Sequence, residues 1–252
     1  MNDVRLSPRA ILFDLDDTIL SAYGRPEPAW LAVAEEFASQ LAPLSPLEAV
    51  TEIMAQSRVF WADPEDHRYW RLRLFAARRE TVARAFRALA DAGRPTPSLV
   101  VADALADRFS AWREEQMSLF PDAHKVIDAL KARGLKLALV TNGEAQLQRA
   151  KISRFDLAGR FDHVQIEGEH GFGKPEERAY QHAMQALGFG PSETWMVGDN
   201  LEWEVVAPQR LGIYAVWHDH AGRGLPSGTT ARPDLIIRVL SELIPALEAI
   251  SA

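Results

Sequence analysis

The 252-residue chain has no cysteine, and lysine supplies only five of its 28 basic residues, none of them before Lys125. The first absence excludes disulfides, a thiol nucleophile and thiolate-bound zinc. No apolar run approaches the ~20 residues that cross a bilayer as a helix. The opening residues, Met1-Asn2-Asp3-Val4-Arg5, lack the charged-then-apolar pattern of a secretory signal. A soluble cytoplasmic protein is therefore the expected class. The formal net charge of −7 argues against nucleic acid or an anionic membrane surface as partner. Nothing in the sequence reports an oligomeric state.

A hydrophobic content of 47% is ample for a core, and the length suits one large domain or two smaller ones. Ala10-Ile11-Leu12-Phe13 is a continuous apolar run ending in an acid, the pattern of a strand buried on both faces of a parallel sheet. From Ser21 to Met117 the texture turns to helical spacing, with Pro26-Glu27-Pro28, Pro43, Pro46, Asp63-Pro64 and Gly93-Arg94-Pro95 as starts and stops. About four helices are expected there. After Pro121, strands near 135–140, 161–166, 194–197, 213–217 and 234–237 alternate with helices near 122–133, 144–151, 176–187 and 202–211. The last of these helices should kink or end early at Pro208. The expected fold is α/β, a doubly wound parallel sheet formed by residues 1–20 and 118–252, with a helical bundle of residues 21–117 inserted after the first strand.

The chemistry-bearing residues stand at strand ends, where open α/β sheets bind ligands. Asp14 and Asp16 have the same strand parity, so their carboxylates should leave on one side and repel unless a cation or proton is shared. Thr141-Asn142-Gly143 follows the second strand, Lys174 sits in a Gly- and Pro-rich loop, and Gly198-Asp199-Asn200 ends a later strand. Asp14 and Asp199, with a backbone carbonyl, offer the hard oxygen ligands that suit Mg²⁺. The Thr141 hydroxyl and the amides of Asn142 and Gly143 suit phosphate oxygens. Asp14 could attack phosphorus, giving an aspartyl-phosphate, while Asp16 gives a proton to the leaving alcohol and later takes one from water.

In this order the residues resemble the haloacid dehalogenase superfamily of hydrolases. Asp14-Leu15-Asp16-Asp17-Thr18 is similar to its first motif, Asp-x-Asp-x-Thr. Thr141 matches the second motif, Lys174 the third, and Gly198-Asp199 with Glu204 the fourth. The resemblance implies a Rossmann-like core with the helical insertion as a cap domain. It implies Asp14 as nucleophile, Asp16 as general acid/base, and Thr141 and Lys174 as their catalytic partners. Thr18, Thr141, Asn142, Gly143 and Lys174 would face a small phosphorylated metabolite. Mg²⁺ would be held by Asp14, the main-chain carbonyl of Asp16, and Asp199. Glu204, where the family more often has Asp, is expected to reach the metal through water or from outside its ligand shell. The dehalogenating members lack the second acid of the first motif, so Asp16 favours phosphate chemistry. The phosphonate-cleaving members use a cap lysine, and none lies between Ile19 and His124.

The leading expectation is thus a Mg²⁺-dependent phosphomonoesterase. A phosphomutase, a 2-haloacid dehalogenase and a non-catalytic phospho-binding module are the alternatives. Other polar residues have plainer readings. Asp17 suits a turn or cap. His218-Asp219-His220 reads as a solvated loop, and Glu167, Glu169 and His170 as loop residues without a chemical role. Arg68, Arg71, Arg73, Arg78 and Arg79 read as a solvated helix face. Trp61, Tyr69, Trp70 and Phe75 read as bundle core.

Overall fold

β1 (Ala10–Phe13) is the apolar run itself, and its four side chains are shut off from solvent. The computed structural model describes residues 7–22, 24 and 26–251. After β1 the chain turns tightly, with Asp17 at φ +59° and its N–H on Leu20 O, and enters β2 (Leu20–Ser21). Six helices follow: α1 (Pro26–Glu36), α2 (Ala38–Leu41), α3 (Pro46–Phe60), α4 (Pro64–Trp70), α5 (Leu74–Asp91) and α6 (Leu99–Gln116). Four are long, as the sequence suggests. The additional α2 and α4 are short pieces bounded by the same prolines. Ser45 and Glu48 cap α3 reciprocally, and the Asp63 carboxylate accepts the N–H groups of Glu65 and Asp66 at the start of α4.

The chain divides into two compact units, residues 22–117 and residues 1–21 with 118–252. The helical unit has its own core, in which Trp30 stacks on Phe109 among Val33, Leu41, Ile53 and Leu105. The expected core role of Trp61, Tyr69, Trp70 and Phe75 is not what the structure shows. Tyr69 and Phe75 are 51% and 39% exposed, and Trp61 and Trp70 are only half-buried. The seven-residue α4 buries none of its residues, being too short to lay an apolar stripe on the bundle.

β3 (Ser118–Leu119) returns antiparallel to β2, pairing Leu20 with Leu119 and Ser21 with Ser118. Then come α7 (Ala123–Ala132), β4 (Lys136–Thr141), α8 (Ala145–Arg154), β5 (His163–Ile166), α9 (Glu167–His170), α10 (Glu177–Leu187) and β6 (Thr194–Gly198). A π-helical turn (Leu201–Val206) leads into α11 (Ala207–Arg210), and β7 (Tyr214–His218), β8 (Leu235–Ile237) and α12 (Leu243–Ser251) complete the chain. The six long strands form one parallel sheet in the order β5-β4-β1-β6-β7-β8. Leu12, Ala138, Val140 and Met196 pack on Tyr180, Ala183 and Met184 of α10. Their strand neighbours Ile11, Phe13, Leu137, Leu139 and Val197 point the other way and are equally buried. Both faces are therefore covered, as the unbroken apolar runs require.

The expected helix over 202–211 is instead a π turn followed by one α turn. The Ala207 N–H reaches back five residues to Glu202 O. The next bond in that series would run from residue 208 to Trp203 O, but Pro208 has no N–H. The Tyr180 hydroxyl donates to Trp203 O instead, at 2.5 Å. The freed carbonyl is satisfied from α10, and the irregular turn is pinned to the sheet-packing helix.

Candidate active site

The parallel register assembles the site. Phe13 pairs with Leu139 on one side and Val197 on the other, so Asp14 lies next to the ends of β4 and β6, beside Thr141 and Asp199. β5 lies beyond β4, and the chain then returns to place β6 on the opposite side of β1. Such a reversal opens the crevice at the carboxyl ends of the strands.

Lys174 is the hub. Its side chain is wholly buried, with Nζ 2.5 Å from Asp14 Oδ1 and 2.8 Å from Glu204 Oε1. Asn142 fixes the backbone that carries it: Oδ1 accepts the Lys174 N–H at 2.8 Å and Nδ2 donates to Lys174 O at 2.6 Å. A side chain at Gly173 would strike Asn142 Oδ1 and Glu167, so only glycine permits this approach. Glu204 is equally committed. Oε2 accepts the Asn200 N–H at 2.7 Å, and a Cβ at Gly198 would lie 2.0 Å from Glu204 Cγ. The glutamate's extra methylene occupies the space that Gly198 leaves open.

Two buried carboxyls, Asp14 and Glu204, thus contact one ammonium, and the half-buried Asp199 lies within range of their charges. Burial pushes Lys174 down, but the carboxylates of Asp14 and Glu204 outweigh it and hold the ammonium well above its ordinary value. Burial pushes Asp14 up, and the charge of Lys174 only partly restores it. Glu204 rises to about 7, through burial first, with Lys174 opposing. Asp199 rises to about 9, through burial and then the charges of Glu204 and Asp14. The cluster has more acid than one lysine can neutralise, and its donors are all oxygen. That chemistry fits a hard divalent cation.

Asp16 has other hydrogen-bond partners, although its charge adds to the burial that raises Asp14. Strand pairing ends at Phe13, and the chain turns between Asp14 and Leu20. Each carboxylate has its own lysine. Lys151 Nζ lies 2.8 Å from both oxygens of Asp16, and Gln148 Nε2 donates to Oδ2 at 2.9 Å. Gln148 Nε2 also reaches Thr141 Oγ1 at 2.6 Å and Asn142 O at 2.9 Å. Gly143, expected to offer its amide to phosphate, donates it to Glu167 Oε2 at 3.1 Å. Thr18 is fully buried in the turn, its Oγ1 without a hydrogen-bond partner among the described residues. It does not join the contacts around Asp14.

Several residues read plainly from the sequence have structural employment. Glu167 is buried, and with Glu169 and His170 it forms α9 rather than a loop. Glu169 ties α9 to Arg149 of α8 by two bonds of 2.6 and 2.7 Å. His218 and Asp219 are buried rather than solvated. The Asp219 carboxylate accepts the N–H groups of Arg223 and Gly224, closing the loop after β7. Burial holds His218 down at about 4. Ligand atoms of His220, Asp17 and Asp199 lie within 4.8 Å of one another.

The sequence pattern of the haloacid dehalogenase-like hydrolases matches residues 8–212. The chain belongs to that family. Along 143 residues, 56% of each chain, it is 41% identical to a phosphoserine phosphatase of Thermus thermophilus. It thus spans about half the length of the curated relatives it matches. Among solved structures, a 2-haloacid dehalogenase of Pseudomonas syringae pv. tomato superposes over 97% of this chain and 100% of its own, with a TM-score of 0.60 and 27% identity. A magnesium-bound HAD-hydrolase of Bacillus subtilis shares the fold over 96% and 99% of the two chains, with a TM-score of 0.67 and 24% identity. In this haloacid dehalogenase-like hydrolase, sequence reasoning gave no role to Gln148, Lys151, Glu167 or Tyr180. A signal existed for the first pair: a polar amide and a scarce lysine three residues apart share one face of the helix that follows Thr141-Asn142-Gly143.

Proposed function

We propose that the chain is a Mg²⁺-dependent phosphomonoesterase that works through an aspartyl-phosphate on Asp14. The observation that carries the reading is the pairing of a buried Asp14, held by Lys174 at 2.5 Å, with a second carboxylate two residues on that has a separate set of partners. Those separate partners support reading Asp14 as the attacking group and Asp16 as the proton carrier.

In this reading an Asp14 oxygen attacks phosphorus and the bond to the leaving alcohol breaks, Asp16 supplying the proton the alcohol needs. Water then attacks the aspartyl-phosphate, Asp16 takes its proton, and inorganic phosphate leaves with Asp14 restored. Lys174 holds the nucleophile's direction and offsets charge on the transferring group. Thr141 faces the phosphate side. Mg²⁺ would be held by Asp14, the carbonyl of Asp16, and Asp199, where it would neutralise charge on the phosphoryl oxygens. The substrate is a small phosphorylated metabolite, and the reaction is cytoplasmic.

Phosphate release from an aryl phosphate, with Mg²⁺ or with chelator, tests this for the wild type and Asp14→Asn. Release that requires both Mg²⁺ and Asp14 is expected. Release that survives Asp14→Asn would overturn it. The likeness to a 2-haloacid dehalogenase supplies a second reading. Halide release from a 2-haloacid, with no phosphate release, would favour it. Formation of an isomeric sugar phosphate in place of inorganic phosphate would indicate a mutase.

A further inference from the structure

Two of the five lysines are withdrawn from solvent, and both end on the aspartates after β1. Lys125, Lys136 and Lys131 have side chains 84%, 53% and 34% exposed, against 13% for Lys151 and none for Lys174. Lys174 serves the nucleophile. Lys151 has no place in the chemistry proposed above, yet it spans both oxygens of Asp16 at 2.8 Å, across 135 residues of sequence.

Gln148 lies one helical turn earlier on the same face of α8 and is itself buried. Its amide nitrogen sits against Asp16 Oδ2, Thr141 Oγ1 and Asn142 O together. One helix face therefore references the second acid to the residues at the end of β4. Without these donors the Asp16 side chain, in the turn after β1, would have rotamers to choose among. Holding a reacting group within a fraction of an ångström of its working position is a large part of what a supporting shell contributes.

We propose that Lys151 and Gln148 are positioning residues that aim Asp16 at the leaving oxygen. This rests on the reading of Asp16 as proton donor. It has a signature that a merely structural role lacks: loss of aim harms only substrates whose leaving group needs a proton. kcat/KM reports the steps up to departure of the alcohol. A p-nitrophenolate leaves without a proton, whereas an alkoxide does not.

The experiment compares kcat/KM for p-nitrophenyl phosphate and for a simple alkyl phosphate such as glycerol phosphate, in the wild type, Lys151→Met, Lys151→Arg, Gln148→Leu and Asp16→Asn. Thermal melts confirm that each variant is folded. Positioned proton transfer is worth about 10²–10⁴-fold. Lys151→Met should therefore lose about 10²-fold on the alkyl ester and less than about threefold on the aryl ester. Gln148→Leu should show a smaller loss of the same selectivity, and Lys151→Arg should restore most of it. An equal loss on both esters from a folded Lys151→Met protein would overturn the proposal, as would no loss or a gain. If Asp16→Asn itself shows no selectivity between the esters, the assignment of Asp16 as proton donor fails instead. Should Lys151→Met not fold, Gln148→Leu carries the same comparison.

Discussion

In the helical unit, Arg79 meets Asp107 through two hydrogen bonds of 2.7 and 2.5 Å, and Arg94 reaches Glu48 at 2.6 Å, with all four side chains close to half exposed. In the α/β unit, Lys174 meets Asp14 and Glu204 at similar distances, with the three side chains between 0% and 10% exposed. The bond lengths are alike and the energetics are not. Water already solvates the first set, so making or breaking those pairs changes little. The second set has given up hydration, and removal of one member strands the others. A protein tolerates such a cluster where the charge is used, which is why burial of charge locates the site better than ion-pair counts do.

The comparison can be broken first at Asp14. Asn there keeps the shape and removes the proposed nucleophile, and phosphate release should fall by about 10³-fold or more in a steady-state assay. Next is Lys174→Met, which leaves Asp14 and Glu204 buried without their cation. Urea denaturation should show a loss of about 3–5 kcal/mol. Tyr180→Phe removes the donor to Trp203 O, a carbonyl that Pro208 cannot serve. The same measurement should show a loss of about 1–3 kcal/mol from the unsatisfied group.

A pH series sharpens the contrast. Without metal, the Asp199 carboxyl keeps its proton to about 9, whereas an unfolded aspartate ionises near ~3.9. The native state therefore binds more protons between those values, so its stability is greatest at the acid end of that window and falls as pH rises through it. Glu204, at about 7, adds to the fall over the lower part of the window. Melting temperatures in chelator should decline across this range, and Asp199→Asn should flatten the decline. His218, held at about 4, acts with the opposite sign: its contribution is lost as pH drops from ~6.5 toward 4. Smallest of all is Arg79→Ala, which should leave the denaturation midpoint of the helical unit unchanged.

Much of the sheet was legible because a strand buried on both faces has no polar alternation, and the apolar runs at 10–13 and 137–140 show where backbone pairing is shielded from water. The strand-end polar residues stood out by ending those runs. What escaped was of two kinds. Two-residue strands such as β2 and β3 carry no periodicity to read. Pro208 announced an interruption but not its form, because the carbonyl it leaves free, Trp203 O, is met by the hydroxyl of Tyr180, 23 positions before Trp203. The partner of Asp16 was hidden similarly, since Lys151 is an ordinary helix residue until the register of β1 against β4 brings α8 to the turn. Lys174 and Asn142 were recognisable as polar residues in loops. Their two-point backbone clamp was not.

The β2–β3 ribbon has a bearing on ancestry. Ser21 and Ser118 are cross-strand partners, so the polypeptide departs for its 96-residue excursion and comes back at adjacent points. A two-residue hairpin turn could join them and leave every pairing of the six-stranded sheet in place. The excursion is therefore a cassette, open to exchange or elaboration by descent without renegotiating the register that builds the reaction centre.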